Sequence, residues 1–92
     1  MGLNSVVGKH SILNTGALVD HDVKIGDFSH IAGNSYVAGG VTIGNLVLLG
    51  AGTTVLDGLS ICSDVVVGAG AVVTKSITEP GTYVGAPARR IH

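Results

Sequence analysis

One histidine of this sequence lies between two acidic residues, in the segment Val19-Asp20-His21-Asp22. A carboxylate close to an imidazole stabilises the charged imidazolium, which makes the histidine a stronger base near neutral pH. His21 is therefore a candidate general base for proton transfer. Short acidic side chains are also common in turns, and we interpret Asp20 as a solvated turn residue. The spacing alone leaves that interpretation open for Asp22 as well.

The segment around His21 belongs to a repeat of six residues. An aliphatic residue recurs at every sixth position, and the residue four positions after each of the first eleven is small or aliphatic. An α-helix turns by about 100° per residue, so a six-residue repeat would drift by about 120° per unit and leave any single face. A helix is therefore excluded. The recurring residues are Val7, Leu13, Val19, Ile25, Ile31, Val37, Ile43, Leu49, Val55, Ile61, Val67 and Val73.

Glycine, asparagine or aspartate directly follows seven of these aliphatic residues, from Gly8 to Gly68. We expect these positions to supply the permissive φ that tight turns need. Short strands joined by such turns would make a triangular coil of three repeats, and the twelve repeats give about four coils of 18 residues. The sequence therefore predicts an all-β fold of stacked parallel strands.

An 18-residue coil places each residue directly below the residue 18 positions later. By this arithmetic His21 lies under Gly39, where a ligand could reach bare backbone beside the imidazole. Gly33, Ala51 and Ala69 form a second vertical row, which would make a shallow groove with exposed backbone. Two simpler interpretations stay open: a turn glycine above a surface histidine, and small residues tolerated at tight corners.

Composition and charge exclude several classes of protein. The net charge of −1 does not favour nucleic acid, because phosphate binding needs a basic surface. No apolar stretch approaches the ~20 residues of a membrane span, and the N-terminus lacks a signal pattern, so we expect a cytoplasmic protein. The single Cys62 has no partner set for zinc and is interpreted as an apolar filler, so no metal is expected.

Several motifs together resemble the sugar acetyltransferases of the sialic-acid O-acetyltransferase and bacillosamine-type UDP-4-amino-sugar N-acetyltransferase group. They are Leu13-Asn14-Thr15-Gly16-Ala17, the segment Val19-Asp20-His21-Asp22, Ile25-Gly26-Asp27-Phe28-Ser29-His30-Ile31 and Val84-Gly85-Ala86-Pro87-Ala88. The resemblance implies a left-handed parallel β-helix, acetyl-CoA as co-substrate and a sugar or nucleotide-sugar acceptor. It also implies a homotrimer with sites between subunits.

The resemblance further implies roles for individual residues. His21 would be the general base, and Asp22 would raise its basicity. His30 would contact acetyl-CoA near its thioester, and Gly39 would present backbone to the acetyl carbonyl. The remaining residues that the resemblance assigns to the cofactor are Ala51 and Ala69 along the pantetheine arm, with Lys75 and Arg89 at the CoA phosphates.

We therefore predict a lead-in at 1–6, a β-helix acyltransferase domain at 7–78 and a short C-terminal tail at 79–92. The expected activity is acetyl transfer from acetyl-CoA to an amine or hydroxyl of a sugar or nucleotide sugar, by direct attack. Two other classes of protein are alternatives. A γ-carbonic anhydrase is disfavoured, since the spacings among His10, His21 and His30 do not look like that family's zinc ligands. A catalytically incomplete β-helix that serves as a structural or trimerisation module is the stronger alternative.

Overall fold

The computed structural model describes residues 2–92, and every regular element in that range is a β-strand. None of these residues forms a helix with the length and apolarity to cross a membrane. The strands are β1 (Val6–Val7), β2 (Ile12–Leu13), β3 (Leu18–Val19), β4 (Lys24–Ile25), β5 (His30–Ile31), β6 (Tyr36–Val37), β7 (Thr42–Ile43), β8 (Leu48–Leu49), β9 (Thr54–Val55), β10 (Ser60–Ile61), β11 (Val65–Val67), β12 (Val72–Val73), β13 (Gly81–Val84) and β14 (Arg89–Arg90).

The strands stack in three parallel sheets, and the predicted β-helix of about four coils is confirmed. Sheet A contains β1, β4, β7 and β10, sheet B contains β2, β5, β8, β11, β13 and β14, and sheet C contains β3, β6, β9 and β12. From β1 to β12 each strand pairs with the equivalent strand of the next coil, as in Val19 with Val37 and Val37 with Val55. The predicted vertical stacking is therefore correct through four coils.

The three edges of this prism carry several of the predicted site residues, so we name them here. The AB corner, between sheets A and B, comprises residues 8–11, 26–29, 44–47 and 62–64. The BC corner comprises 14–17, 32–35, 50–53 and 68–71, and the CA corner comprises 2–5, 20–23, 38–41 and 56–59. The CA and BC corners therefore flank sheet C on its two sides.

In β1 to β10 and in β12 the second residue of the strand points inward and fills the core, as do the first and third residues of β11. From Val19 to Val73 each of these aliphatic side chains is almost fully buried, and the buried corner residues Val23, Val41 and Val47 pack beside them. Burying one such side chain contributes about 1.5–3 kcal/mol relative to its exposure. A regular column of Val, Ile and Leu thus closes the prism without aromatic residues in its centre.

The turn geometry differs from the prediction. Positive φ does not occur directly after the aliphatic residues; it occurs at the third residue after them, at every sixth position from Asn4 to Gly70. The glycines that follow the aliphatic residues are needed for another reason. A Cβ on Gly26 would lie 2.8 Å from the backbone of Gly44, and one on Gly50 would lie 2.6 Å from the Ala69 nitrogen. These glycines let adjacent coils approach closely.

The regular register ends in the last coil. Ile61 bridges to Ile77, and Val66 pairs with Thr82, so both partners come two positions earlier than a full coil would place them. Strand β13 continues sheet B and then turns back into the antiparallel β14, through Tyr83 paired with Arg90. The predicted C-terminal tail therefore contains a β-hairpin that covers the end of sheet B. The division at residues 6/7 and 78/79 stays a prediction.

Candidate active site

His21 and Asp22 lie in the CA corner, directly after strand β3. The His21 Nδ1 and the Asp22 Oδ2 are 3.0 Å apart, with Asp22 in the left-handed region at φ 56°. Both side chains remain open to solvent, with 61% and 58% of their surfaces exposed. Because Asp22 bonds to Nδ1, the neutral imidazole carries its proton there and leaves Nε2 free to accept one.

Asp20 is bonded through both carboxylate oxygens. Its Oδ1 accepts the backbone N–H of His21 at 2.8 Å, and its Oδ2 accepts the Tyr36 hydroxyl at 2.8 Å. The residue is half-buried. Asp20 is thus a turn residue, as interpreted from the sequence, and its partly exposed carboxylate is in addition held between its own corner and the next coil.

These contacts shift three pKa values. The hydrogen bond to Asp22, followed by the charge of Asp20 and more weakly Asp57, raises the pKa of His21 above its ordinary value. The Tyr36 hydroxyl, followed by the His21 N–H, lowers the pKa of Asp20, while the same bond raises the pKa of Tyr36. Asp20 thus stays ionised beside an imidazole of raised basicity.

The His21 ring lies against Gly39, one coil above it. A Cβ built on Gly39 would be 2.7 Å from both Cε1 and Nε2 of His21, so only glycine leaves room for the ring there. Gly39 is buried, and its N–H donates no hydrogen bond to any atom of residues 2–92. His21 and Gly39 are therefore adjacent, as predicted. Gly39 both contacts the His21 ring and carries a backbone N–H that is free to donate a hydrogen bond.

The predicted small-residue row lies in the BC corner. The Gly33 oxygen accepts the Gly52 N–H at 3.0 Å, and the Ala51 oxygen accepts the Gly70 N–H at 2.8 Å, so this row is stacked as expected. Within the described chain the N–H groups of Gly33, Ala51 and Ala69 donate no hydrogen bond. The groove therefore presents a line of unused amide donors.

The AB corner is a useful comparison, because there the equivalent amides are occupied. The Lys9 N–H donates to the Asp27 carboxylate at 2.7 Å, and the Asp27 N–H donates to the Asn45 side chain at 2.7 Å. Side chains of the next coil thus satisfy the amides of the AB corner. In the BC corner the small residues cannot do so, which leaves those amides available to a ligand.

Lys75 and Arg89 come together although the regular repeat ends between them in the sequence. Both line a cavity of about 130 Å³ with Thr74, Pro87 and Ala88, at the hairpin end of the prism. The two cations would attract an anionic group such as a phosphate. The sequence placed both residues near the end of the repeat, and the hairpin supplies their proximity.

His30 is not brought to His21 within one chain. It lies on strand β5 in sheet B, where its Nε2 is 3.1 Å from the Asn14 amide nitrogen. Ala51 and Ala69 are also separated from His21, by the width of sheet C. Across residues 2–92 no group of three or more His, Cys, Asp or Glu side chains is arranged to hold a metal ion.

Sequence reasoning missed two residues near His21. Asp57 comes two full coils after His21, so the stacking arithmetic could have placed it in the same column. Tyr36 had no such signal. Tyr36 is paired with Leu18 in the strand register, while its hydroxyl reaches the neighbouring corner at Asp20, and that reach depends on the side-chain conformation.

Comparison with known proteins identifies the repeat. Residues 22–57 match the bacterial transferase hexapeptide family, and residues 40–75 match the hexapeptide repeat of succinyl-transferases. The chain is thus a hexapeptide-repeat protein, and a left-handed winding is consistent with that family. A search of curated proteins gave no significant match.

Solved structures match nearly the whole chain. A histidine-to-alanine variant of GDP-perosamine N-acetyltransferase from Caulobacter crescentus, in complex with CoA and GDP-perosamine, has a TM-score of 0.98 and 37% identity over 100% of this chain and 44% of that one. PerB from the same organism, with the same ligands, gives 0.94 and 39% over 97% and 43%. The acetyltransferase domain of PglB from Neisseria gonorrhoeae, with acetyl coenzyme A, gives 0.85 and 33% over 96% and 46%.

These matches confirm the resemblance to the β-helix portion of sugar acetyltransferases. The chain spans less than half the length of the three matched chains.

Proposed function

We propose that this β-helix transfers an acetyl group from acetyl-CoA to the amine of a sugar or nucleotide sugar, with His21 as general base. The observation that carries the proposal is the position of His21: Nδ1 is held by Asp22 while the Nε2 side of the ring lies against Gly39. A base with one nitrogen fixed and the other free, beside an unused backbone donor, suits attack on a thioester carbonyl.

The reaction follows from these contacts. The acceptor amine attacks the thioester carbonyl carbon, a C–N bond forms, and His21 Nε2 takes the proton that the amine loses. The carbonyl oxygen becomes an oxyanion, which the Gly39 N–H would stabilise. The C–S bond then breaks, the carbonyl re-forms, and the imidazolium returns its proton to the CoA thiolate. Asp22 keeps the imidazole oriented throughout and stabilises its charged form.

An amine is favoured over a hydroxyl as the acceptor. Three carboxylates, those of Asp20, Asp22 and Asp57, act on His21, so the site attracts a cation. A sugar amine is largely an ammonium ion near neutral pH and would be drawn to this corner; it first releases its extra proton to solvent, so that the neutral amine attacks and His21 takes the one proton lost in that step. The matched perosamine enzyme is described as an N-acetyltransferase, which supports the same choice.

The BC groove and the basic cavity fit the two ends of CoA. The pantetheine arm carries two amides, whose carbonyls can accept from the free N–H groups of Ala51 and Ala69. Its phosphates would bind Lys75 and Arg89 in the cavity at the hairpin end. When bound, CoA supplies the activated acetyl thioester.

A homotrimer would complete the site. His21 and the BC groove lie on opposite sides of sheet C, so the groove that serves one His21 would belong to a second copy of the chain. Exposed apolar side chains support such packing: Phe28 and Leu46 are 57% and 58% exposed on the AB corner, and Ile12, Leu48 and Val66 are exposed on the adjoining sheet B. We propose that these residues pack against neighbouring copies and that the trimer is cytoplasmic.

Acetyl-CoA binding tests the donor half of the proposal. Calorimetry on the purified chain, with the mass measured by light scattering in the same buffer, should give saturable binding by a trimer. Ala51→Leu and Ala69→Leu should abolish binding by filling the groove, while His21→Ala should largely keep it. Thr42→Leu places the same side chain on the outer face of sheet A and serves as the control.

A structural or trimerisation module is the competing function, since the chain covers only 44% of the perosamine enzyme. A well-folded trimer that binds no acetyl-CoA, with or without the leucine substitutions, would favour that module. If acetyl-CoA binds, acetyl transfer should be measured with an amino-sugar nucleotide and with its hydroxyl analogue. Transfer to the hydroxyl alone would overturn the choice of an amine.

A further inference from the structure

Tyr36 and Asp20 make a contact that the chemistry above does not use. Tyr36 projects from strand β6, in the coil above His21, and donates its hydroxyl to Asp20 Oδ2 at 2.8 Å. The other Asp20 oxygen accepts the His21 N–H at 2.8 Å. One carboxylate therefore connects the tyrosine of one coil to the backbone of His21 in the coil below.

The same corner is fixed from its other side by Gly39 and Asp22. The Gly40 N–H donates to the His21 oxygen at 3.0 Å, so the His21 peptide is bonded at both its nitrogen and its oxygen. The ring rests on Gly39 and is bonded at Nδ1 to Asp22. The backbone of His21 and one nitrogen of its ring are therefore both held by hydrogen bonds. The orientation of the imidazole then depends on Asp20, which bonds the backbone, and on Asp22, which bonds the ring.

We infer that Tyr36 and Asp20 are positioning residues: the Tyr36 hydroxyl holds the Asp20 carboxylate against the His21 backbone, and that carboxylate keeps the imidazole oriented and its charged form stabilised. Neither residue touches the reacting atoms. The inference rests on the proposed function, because it concerns the base of the same site. It gives His21 a second supporting carboxylate, that of Asp20, beside Asp22, and it gives Tyr36 the role of holding Asp20.

Electrostatics around the ring agree with this arrangement. The groups that act on His21 are Asp22 in its own corner, Asp20 before it and Asp57 two coils above, and all three raise its pKa. Tyr36 keeps Asp20 ionised by lowering the pKa of that carboxyl. Releasing Asp20 from Tyr36 would let the carboxylate turn toward solvent and away from the imidazole, so the pKa of His21 would fall.

An NMR titration of the free chain tests the inference without any substrate. The His21 ring signal is assigned by its loss in His21→Ala and followed against pH in Asp20→Asn, Tyr36→Phe and the double variant. Asp20→Asn keeps the shape of the side chain and removes its charge. Tyr83→Phe is the matched control, since its hydroxyl donates to the Glu79 oxygen in the C-terminal segment, far from His21.

Asp20→Asn should lower the pKa of His21, and Tyr36→Phe should lower it by a smaller amount. The double variant should match Asp20→Asn alone, because Tyr36 acts through Asp20. An unchanged pKa in Asp20→Asn overturns the inference, whether or not Tyr36→Phe folds. The inference is also overturned if Tyr36→Phe lowers the pKa of His21 equally in the native and the Asp20→Asn backgrounds. It is overturned as well if Tyr36→Phe and Tyr83→Phe give the same pKa of His21.

Kinetics separate this inference from the proposed function. Tyr36→Phe should lower kcat about tenfold through a misplaced base, and leave the KM for acetyl-CoA unchanged. A chain with no acetyl transfer but with the expected titrations would refute the proposed function and keep the pairing of Tyr36 with Asp20. Normal acetyl transfer by the native chain, with the same pKa of His21 in all variants, would support the proposed function and refute the pairing of Tyr36 with Asp20.

Discussion

The imidazole of His21 occupies the space that a side chain would fill at Gly39, with Cε1 and Nε2 both 2.7 Å from the position of a Cβ. The two residues are one full coil apart in the sequence, so the period of the repeat brings them together. An imidazole, its carboxylate partner and a free backbone N–H thus meet on one corner of a prism built mainly from two-residue strands.

Gly39→Ala should displace the imidazole without unfolding the chain. The φ of Gly39 is not positive, so alanine is compatible with the backbone, and the new methyl group would meet the ring. A base displaced by about 1 Å can cost about 10²-fold in rate, so kcat should fall by that order. In a His21→Ala background, where no ring is left to displace, Gly39→Ala should have no further effect on the residual rate. A further loss there would mean that the methyl group acts on the acetyl group or the backbone donor instead.

Asp22→Asn should move the pH dependence of acetyl transfer. The hydrogen bond to Asp22 is the largest cause of the raised pKa of His21. The base works when neutral, so the rate of the native protein rises with pH through that raised pKa, above the ordinary value of 6.5. Asparagine would lower the pKa of His21, shift the rising limb of kcat/KM to lower pH and reduce its plateau. An unshifted limb with a normal plateau would contradict the role of Asp22.

Leu46→Gly tests whether the Leu46 side chain contributes to the contact between copies of the chain. Leu46 adopts φ 55° and is 58% exposed, so its backbone conformation is unfavourable for leucine by about 1–2 kcal/mol. Glycine should relieve this strain but remove an apolar contact between copies, so light scattering should detect weaker trimer formation. Asn4→Gly, at the equivalent left-handed position of the CA corner, should leave the mass unchanged. Equal trimer stability in both variants would exclude Leu46 from the interface.

Lys75→Ala and Arg89→Ala should weaken CoA binding at its nucleotide end only. Both side chains line the cavity at the hairpin, and each solvent-accessible ion pair should contribute about 1.5- to fivefold in affinity. The loss should shrink as salt is raised. Acetyl-pantetheine, which lacks the nucleotide and its phosphates, should bind the native chain and both variants equally well. Equal weakening for the two ligands would place the cations elsewhere along the arm.

The fold was predictable because one periodicity controls it. The twelve aliphatic positions and their spacing of six determine the number of coils, the register and the contact between His21 and Gly39. The position of the left-handed residues was not predicted correctly, because glycine occurs in the corners for two reasons. Gly26 and Gly50 are required by close approach of the next coil, whereas Gly40 and Gly52 are favoured by their positive φ.

Other features depend on contacts that no period encodes. The bond from Tyr36 to Asp20 falls short of a full coil and depends on the reach of the tyrosine side chain. The change of register at Ile77 and the hairpin of β13 and β14 break the repeat, and they create the cavity that joins Lys75 to Arg89. The half-coil spacing, by contrast, indicated correctly that His30, on strand β5, and His21, in the CA corner, lie apart in one chain.

The most direct measurement is the rate of acetyl transfer from acetyl-CoA to an amino-sugar nucleotide by the native chain and by His21→Ala, with acetyl-CoA affinity measured on both. Loss of a general base should lower kcat by about 10²–10⁴-fold while the affinity for acetyl-CoA stays within about twofold. Equal rates in the two proteins, with acetyl-CoA bound to both, would contradict His21 as the general base.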